Sequence, residues 1–340
     1  MSVSARICSR FFMPVVVVAA AVAAAVVLAV FASAPAEAVT PQAGQDDPPV
    51  VYKAKDSPSA NTPVRTKVFV GCPGGYEATG GGFDVHAKPG SLLNWSPKAS
   101  RPSLAGEGPD EGPAGSGWVV EAVKHNEDTN PPPFTAYAAC AKETLLGPNG
   151  ATYGSDSTEV NAIKVGELFT SCGQGSRVVG GGFDFLGNRN MHLVRTERAN
   201  EHTWQIGAKY YNQFYVGKAE IKAYRVCVPD KAIGSFDYRR DANTGSNVVN
   251  ANTPLCPEDT HLLSGGAGVS NNDAGSVLWS HIRPGTGDRN WSAGAFNESI
   301  FSKLTLWSFA VCAELTGERA SKSSGKNPGW GDGIGGGRFK

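Results

Sequence analysis

Along most of this chain apolar and polar residues alternate with a period of two, in short runs broken by glycine, asparagine and proline. Trp118, Val120 and Ala122 alternate with Val119, Glu121 and Val123; Trp204, Ile206, Ala208 and Tyr210 repeat the pattern; Trp307, Phe309 and Val311 alternate with Leu306, Ser308 and Ala310. Lys67 to Val70 leads the same way into Cys72. Runs of this length and period are strands whose two faces meet different surroundings. Apart from the segment before Ala38, no stretch of ten residues carries helical apolar spacing, so residues after it are expected to be nearly all β.

The runs belong to a unit that occurs three times. Cys72, Cys172 and Cys256 each stand eight residues before a small-residue triplet: Gly80 to Gly82, Gly180 to Gly182, and Ser264 to Gly266. Thirteen residues past each triplet come Trp95, Arg195 and Trp279, followed by Ser96, Thr196 and Ser280. Later in each copy stand Trp118, Trp204 and Trp291, with Ala122, Ala208 and Ala295 four residues on. Tyr52, Tyr153 and Tyr238 precede the opening cysteines by 20, 19 and 18 residues, and Cys140, Cys227 and Cys312 close the copies. Repeats with this period are expected at 50–143, 151–230 and 236–315.

Each copy thus carries an opening and a closing cysteine, and Cys8 falls outside the repeats. Six cysteines permit fifteen connectivities. Repetition favours one of them, Cys72 to Cys140, Cys172 to Cys227 and Cys256 to Cys312, because a copied unit should carry its own bridge. Bridges belong to an oxidising compartment, in keeping with the amino-terminal segment. Residues 1–38 read as a signal peptide: Arg6 and Arg10, an apolar run from Val15 to Ala32, and a small-x-small site at Ala36 to Ala38. An uncleaved anchor of the same length is the alternative. Residues 39–49 read as a linker and 317–340 as a disordered tail.

Two small-sheet architectures are compatible with this pattern. The first is three repeated small antiparallel sheets about a pseudo-threefold axis, β-prism-like, with each bridge tying the first and last strands of one sheet and the sheets covering one another's apolar faces. The alternative is three tandem β-sandwich subdomains. In either, the glycine triplets mark a bulge or a close backbone approach. Repeat one also carries an insertion, Arg101 to Gly117, rich in glycine, proline and acid.

The opening Cys72-Pro73-Gly74, Gly80 to Phe83, Trp118 and the closing Ala138-Ala139-Cys140 resemble a triplicated repeat of secreted actinobacterial proteins, over most of residues 65 to 315. More distantly the chain is similar to the three-sheet β-prism of the vitelline membrane outer layer protein family. The third copy departs from the pattern, with Ser264 and Ala267 in place of glycine and phenylalanine. No catalytic residue is carried over from either resemblance.

Composition narrows the functions further. Lysine plus arginine and aspartate plus glutamate number 31 each, so net charge gives no case for nucleic acid or an anionic bilayer. With 42 glycines and 22 prolines among 340 residues, and 41% hydrophobic content, the chain can build a core. Gly-x-Ser-x-Gly, His-Glu-x-x-His and phosphate-loop motifs are missing. The Gly-x-Gly-x-x-Gly at Gly331 to Gly336 lies in the tail, with neither strand before it nor helix after. The six histidines show no catalytic spacing, and no metal ligand set or cofactor is implied. Asn94, Asn290 and Asn297 begin glycosylation sequons that chance alone explains.

Two sets of residues are candidates for binding. Trp95 and Trp279, with Arg195 between them in the series, would form platforms for sugar rings or protein anchors if exposed, although Leu93 and Val277, two residues earlier, point to core. Arg101, Arg198 and Arg283, 16 to 19 residues past the triplets, could hold an anion on a threefold axis. The leading expectation is a secreted, disulfide-stapled protein that binds a surface glycan or envelope partner without catalysis. A structural or protective protein, and a hydrolase with residues in the non-repeated loops, are the alternatives.

Overall fold

The computed structural model describes residues 47–58, 65–85, 95–107, 111–124, 134–161, 165–186, 190–210, 218–270, 275–282, 289–299 and 301–316. The expected signal peptide, most of the linker, the tail and Arg283 lie outside the described residues, as do the side chains of Trp95 and Lys124.

Among the described residues each repeat folds into six strands. Repeat one gives β1 (Val50–Asp56), β2 (Arg65–Gly71), β3 (Tyr76–Val85), β4 (Trp95–Pro102), β5 (Gly117–Lys124) and β6 (Phe134–Lys142). Repeat two gives β7 (Thr152–Asn161), β8 (Gly166–Ser171), β9 (Ser176–Asp184), β10 (Met191–Asn200), β11 (Thr203–Tyr210) and β12 (Lys218–Pro229). Repeat three gives β13 (Ile233–Gly245), β14 (Val248–Asn252), β15 (His261–Val269), β16 (Gly275–Ile282), β17 (Trp291–Asn297) and β18 (Leu304–Leu315). A 3-10 turn, Glu143–Leu145, and six further residues join repeat one to repeat two, while the 3-10 turn Asp230–Ala232 alone joins repeat two to repeat three.

The strands form three six-stranded antiparallel sheets in a β-prism-like arrangement about a pseudo-threefold axis. Their composition differs from one sheet per repeat. Sheet A runs β1, β6, β3, β16, β17, β14; sheet B runs β2, β5, β4, β9, β12, β7; sheet C runs β13, β18, β15, β10, β11, β8. Every repeat therefore splits into two three-stranded halves that pack face to face and belong to different sheets. Every sheet joins halves of two repeats. The joins are short: β4 to β9, β10 to β15 and β16 to β3 each pair through two residue positions.

The small-residue triplets make these joins possible, each position in a different way. A bulge at Thr79, Val179 or Leu263 precedes each triplet. At the first position β3, β9 and β15 meet on the axis: a methyl on Gly80 would reach the Leu263 carbonyl oxygen at 2.5 Å, and one on Gly180 the Thr79 oxygen at 2.0 Å. Ser264, the third member, donates its hydroxyl to the Val179 carbonyl oxygen. At the second position Gly81, Gly181 and Gly265 seat the rings of Trp118, Trp204 and Trp291. Each indole N–H donates to a hydroxyl of the same type of site: Ser100 at 2.9 Å, Thr196 at 3.1 Å and Ser280 at 2.8 Å. At the third position Gly82, Gly182 and Gly266 lie against the crossing strand, with carbonyl oxygens of Ser280, Ser100 and Thr196 only 1.9, 2.0 and 1.9 Å from where a methyl would sit. Both the bulge and the close approach expected of these glycines are thus present.

Phe83 and Phe183 meet edge to face on the axis, their centroids 6.0 Å apart. Ala267 pairs with Thr196 as they pair with Ser280 and Ser100, and so takes the third place with a smaller side chain. A small cavity remains there, bounded by Phe83, Phe183 and the Gly81, Gly181 and Gly265 backbones.

Three disulfides join Cys72 to Cys140, Cys172 to Cys227 and Cys256 to Cys312, each within one repeat. Because Cys72, Cys172 and Cys256 follow β2, β8 and β14 while their partners lie in β6, β12 and β18, each bridge joins two different sheets. The expectation that a bridge ties the first and last strands of one sheet is corrected by this topology. All three edges of the prism are stapled.

A second set of bulges, at Lys98, Val194 and Leu278, marks equivalent positions in β4, β10 and β16. All three side chains are buried, yet the first is a lysine, fully inaccessible, donating from Nζ to the Met191 carbonyl oxygen at 2.5 Å. Burial holds its amine well below the 10.5 of free lysine, and Glu121 opposes this only in part. Lys98→Leu is expected to stabilise the fold by about 1–3 kcal/mol, since it supplies the residue type of the other repeats and removes a desolvated amine. Between the lowered folded value and 10.5 the unfolded chain binds the extra proton, so wild-type stability rises with pH across that window. Denaturant titrations at neutral and mildly alkaline pH should show this rise in wild type and its loss in the leucine variant.

Candidate functional site

The register of each sheet lays a transverse row of residues from one edge to the other, on the face opposite the core. In sheet A the row is Asp56, Thr135, Asp84, Trp279, Gly294 and Asn250. In sheet B it is Ser157, Lys222, Asp184, Ala99, Glu121 and Lys67. In sheet C it is Ala242, Trp307, Gly268, Arg195, Gly207 and Glu167. The three rows are counterparts by register and differ in chemistry. They form the candidate site, one version per face.

The register also revises the alignment read from sequence. Arg195 and Trp279 are true counterparts, but the position belongs to Ala99 in repeat one, so Trp95 lies four residues away from it. Repeat one carries four extra residues between its triplet and β4, which a fixed spacing could not detect. The arginine trio dissolves for the same reason. Arg101 corresponds to Glu197 and His281, whereas Arg198 corresponds to Pro102 and Ile282. Arg101 and Arg198 therefore do not converge on the axis as symmetry mates.

On sheet B the row is covered by the protein itself. The described parts of the insertion, 101–107 and 111–117, fold over it and are braced against each other, Ser103 Oγ donating to the Pro113 carbonyl oxygen at 3.0 Å and Ser116 Oγ to that of Glu111 at 3.2 Å. Gly115, at φ +75°, presses its backbone against the Tyr153 ring, where any side chain would collide. Glu111, fully buried, accepts two hydrogen bonds from Arg101, each 2.8 Å, and one from Lys67. Burial alone would raise the Glu111 carboxyl, but these cations hold it below the usual range. Glu107 takes the Tyr224 hydroxyl at 3.0 Å and the Lys222 ammonium, and lies 3.2 Å from Arg101. Asp184 stands 3.4 Å from Arg101, and Arg65 donates to Glu121 at 2.9 Å. Cations and carboxylates match one for one, and Arg101 is committed to its own loop.

On sheet A the centre of the row holds a partly exposed aromatic ring. The indole of Trp279 lies across Gly294, close enough that a methyl there would come within 2.0 Å of it, and the ring is half-buried. The bulge at Leu278 resets the alternation, so Val277 is buried while Trp279 turns outward; the core reading from Val277 is thereby corrected. Asp84 precedes Trp279 in the row, and exposed Asn250 follows Gly294. His281 lies 3.5 Å from Asp84 through Nε2, its Nδ1 bonds the Ile282 carbonyl oxygen at 2.6 Å, and Tyr137 stacks on its ring at 4.6 Å. Burial first, then Asp84 and Asp56, push the Tyr137 hydroxyl up to about 12.

On sheet C, Arg195 lies across Gly268, 3.6 Å from where a methyl would sit, and reaches Glu167 at 3.4 Å and Glu197 at 3.3 Å. Burial raises the Glu197 carboxyl, with Arg195 and Arg240 opposing. Arg240 sits over Trp307 and Phe309 at 4.8 and 5.3 Å, Phe309 stacks on Tyr238 at 5.6 Å, and Arg198 sits 4.1 Å over Phe236. Burial lowers the Arg198 guanidinium from its ordinary value.

The described residues contain no cluster of metal-ligating side chains. The sequons at Asn290 and Asn297 are structural: both side chains are buried and donate to backbone, Asn290 to Thr253 and Asn297 to Ser302. No protein-family model matches the chain, and no curated protein matches it in sequence.

Proposed function

We propose that this is an exported carbohydrate-binding protein that does no chemistry on its ligand, and that sugar rings stack on Trp279 in the sheet A row. The observation that carries this reading is the indole laid across Gly294, flanked in register by Asp84 and Asn250. A flat apolar ring between hydrogen-bonding groups matches a sugar, whose axial C–H faces are apolar and whose hydroxyls radiate sideways. The three disulfides suit an oxidising compartment outside the cell, where such ligands occur on envelopes. His281 is buried against Tyr137 and its own backbone, which favours a role in supporting the row over acid–base work.

A glycan array probed with the mature protein, followed by calorimetric titration of the best oligosaccharide, tests the reading. Trp279→Ala is expected to weaken binding about tenfold, equivalent to about 1.4 kcal/mol, with an unchanged thermal midpoint and no release of reducing ends from the ligand. A flat array, or affinity indifferent to Trp279, defeats it.

A further inference from the structure

The three rows allow one face of the molecule to report on another. On sheet B the loop from Ser103 to Ser116 is acidic and rich in glycine and proline, and its described residues are held through Glu107 and Glu111. Glu107 occupies a spot bounded by Lys222 and Tyr224, and the loop backbone at Gly115 lies on Tyr153. The counterparts of these three residues on sheet C are Trp307, Phe309 and Tyr238. Repeat two, which supplies this part of sheet C, has no such insertion between β10 and β11: three residues past Arg198 the chain turns back through Glu201 and His202 into β11. The aromatic floor is kept and the peptide that covers it on sheet B has no equivalent in sequence.

Two cations on that floor, Arg240 and Arg198, feel Glu197 and Glu201 at a distance but make no contact ion pair among the described residues. Arg240 lies over Trp307 and Phe309 and makes no ion pair among the described residues. Arg198 lies over Phe236, 6.0 Å from the Tyr238 ring, and its buried Nε and Nη2 have no hydrogen-bond partner there. Arg195 is the exception, shared between Glu167 and Glu197. Two guanidinium groups on the partly exposed rings of Phe236, Tyr238 and Trp307, with buried Phe309 beneath them, complement a carboxylate with an apolar backbone beside it.

We infer that the aromatic and arginine strip of sheet C docks an acidic, extended peptide segment of a partner protein, in the manner that sheet B holds its own insertion. The site is separate from Trp279 and stands whether or not the sugar reading holds. A carboxylate of the peptide meets Arg240 where Glu107 meets Lys222 on sheet B, and the aromatic rings take the peptide's proline and glycine backbone.

The probe is a fluorescein-labelled synthetic peptide of residues 103–116, read by anisotropy against the mature protein. Sheet B is already filled by the same sequence in the intact chain, which leaves sheet C to bind in trans. The expected result is saturable, salt-sensitive binding, weakened about five- to tenfold by Arg240→Gln and by a peptide with glutamine at both glutamate positions. Trp307→Ala serves as a second variant, and Trp279→Ala should leave this binding unchanged. Absence of saturable binding, equal affinity for the glutamine peptide, or indifference to both Arg240→Gln and Trp307→Ala overturns the inference. So does competition by an oligogalacturonate as effective as the unlabelled peptide, which would assign the strip to acidic sugars.

Discussion

Gly82→Ala will cost the protein about 4 kcal/mol or more, a loss large enough to leave much of the chain unfolded at physiological temperature. The added methyl would lie 1.9 Å from the Ser280 carbonyl oxygen, and the obstacle is backbone, which cannot rotate aside. Relief requires β3 and β16 to separate, and among the described residues those strands are the only hydrogen-bonded join between repeats one and three in sheet A. The same geometry recurs at Gly182 and Gly266, so each should respond alike. Gly74 supplies the control, since a methyl there meets nothing within 4 Å and the backbone is not left-handed. Gly74→Ala should shift stability by less than about 1 kcal/mol, in the stabilising direction. Guanidinium unfolding of the pair, followed by tryptophan fluorescence from the three buried indoles, gives the comparison directly. Near-equal midpoints for the two variants would mean that the sheets are not joined as described.

Loss of a disulfide should have an effect of similar size. Cys172 and Cys227 are separated by 55 residues, and chain-entropy arguments assign such a bridge about 4 kcal/mol. Here the bridge also spans sheets C and B, so its removal frees one edge of the prism. Replacing both cysteines by alanine is expected to lower the denaturation midpoint sharply while keeping the far-ultraviolet β signature in dilute denaturant. Replacing Cys172 and Cys256 together removes two edges and should abolish folding at 37 °C. Peptide mapping without reduction offers an independent check, because it should recover three crosslinked fragments, each drawn from a single repeat. A crosslink between repeats, or a double-alanine variant as stable as wild type, contradicts this account.

Much of the architecture is legible in the sequence because the information is local and recurs. Cysteine spacing gives the bridges, the Trp118, Trp204 and Trp291 series gives the core, and alternation gives the strands. Strand exchange is not legible, since a strand buries the same alternate residues whichever repeat supplies its neighbour. Bulges explain the misreading of Trp279: an extra residue at Leu278 reverses which face follows, and nothing in Val277 to Trp279 announces it. The displacement of Trp95 from its supposed mates reflects four additional residues between the triplet and β4, invisible to a count that starts from the glycines. Half of the candidate site was within reach, because Arg195 and Trp279 do share a position. The other half was not. Asp84, Gly294 and Asn250 join Trp279 only through pairing between strands of repeats one and three, and within β14, β16 and β17, that no short pattern encodes.

The cyclic exchange of half-sheets also bears on ancestry. A solitary copy would display raw inner edges on β3 and β4, and two copies would still leave one of each unmatched; three close the ring, as first joins second, second joins third and third joins first. Each repeat therefore stands to the other two as one protomer stands to its neighbours in a closed trimer, and a single covalent chain lets the three faces differ.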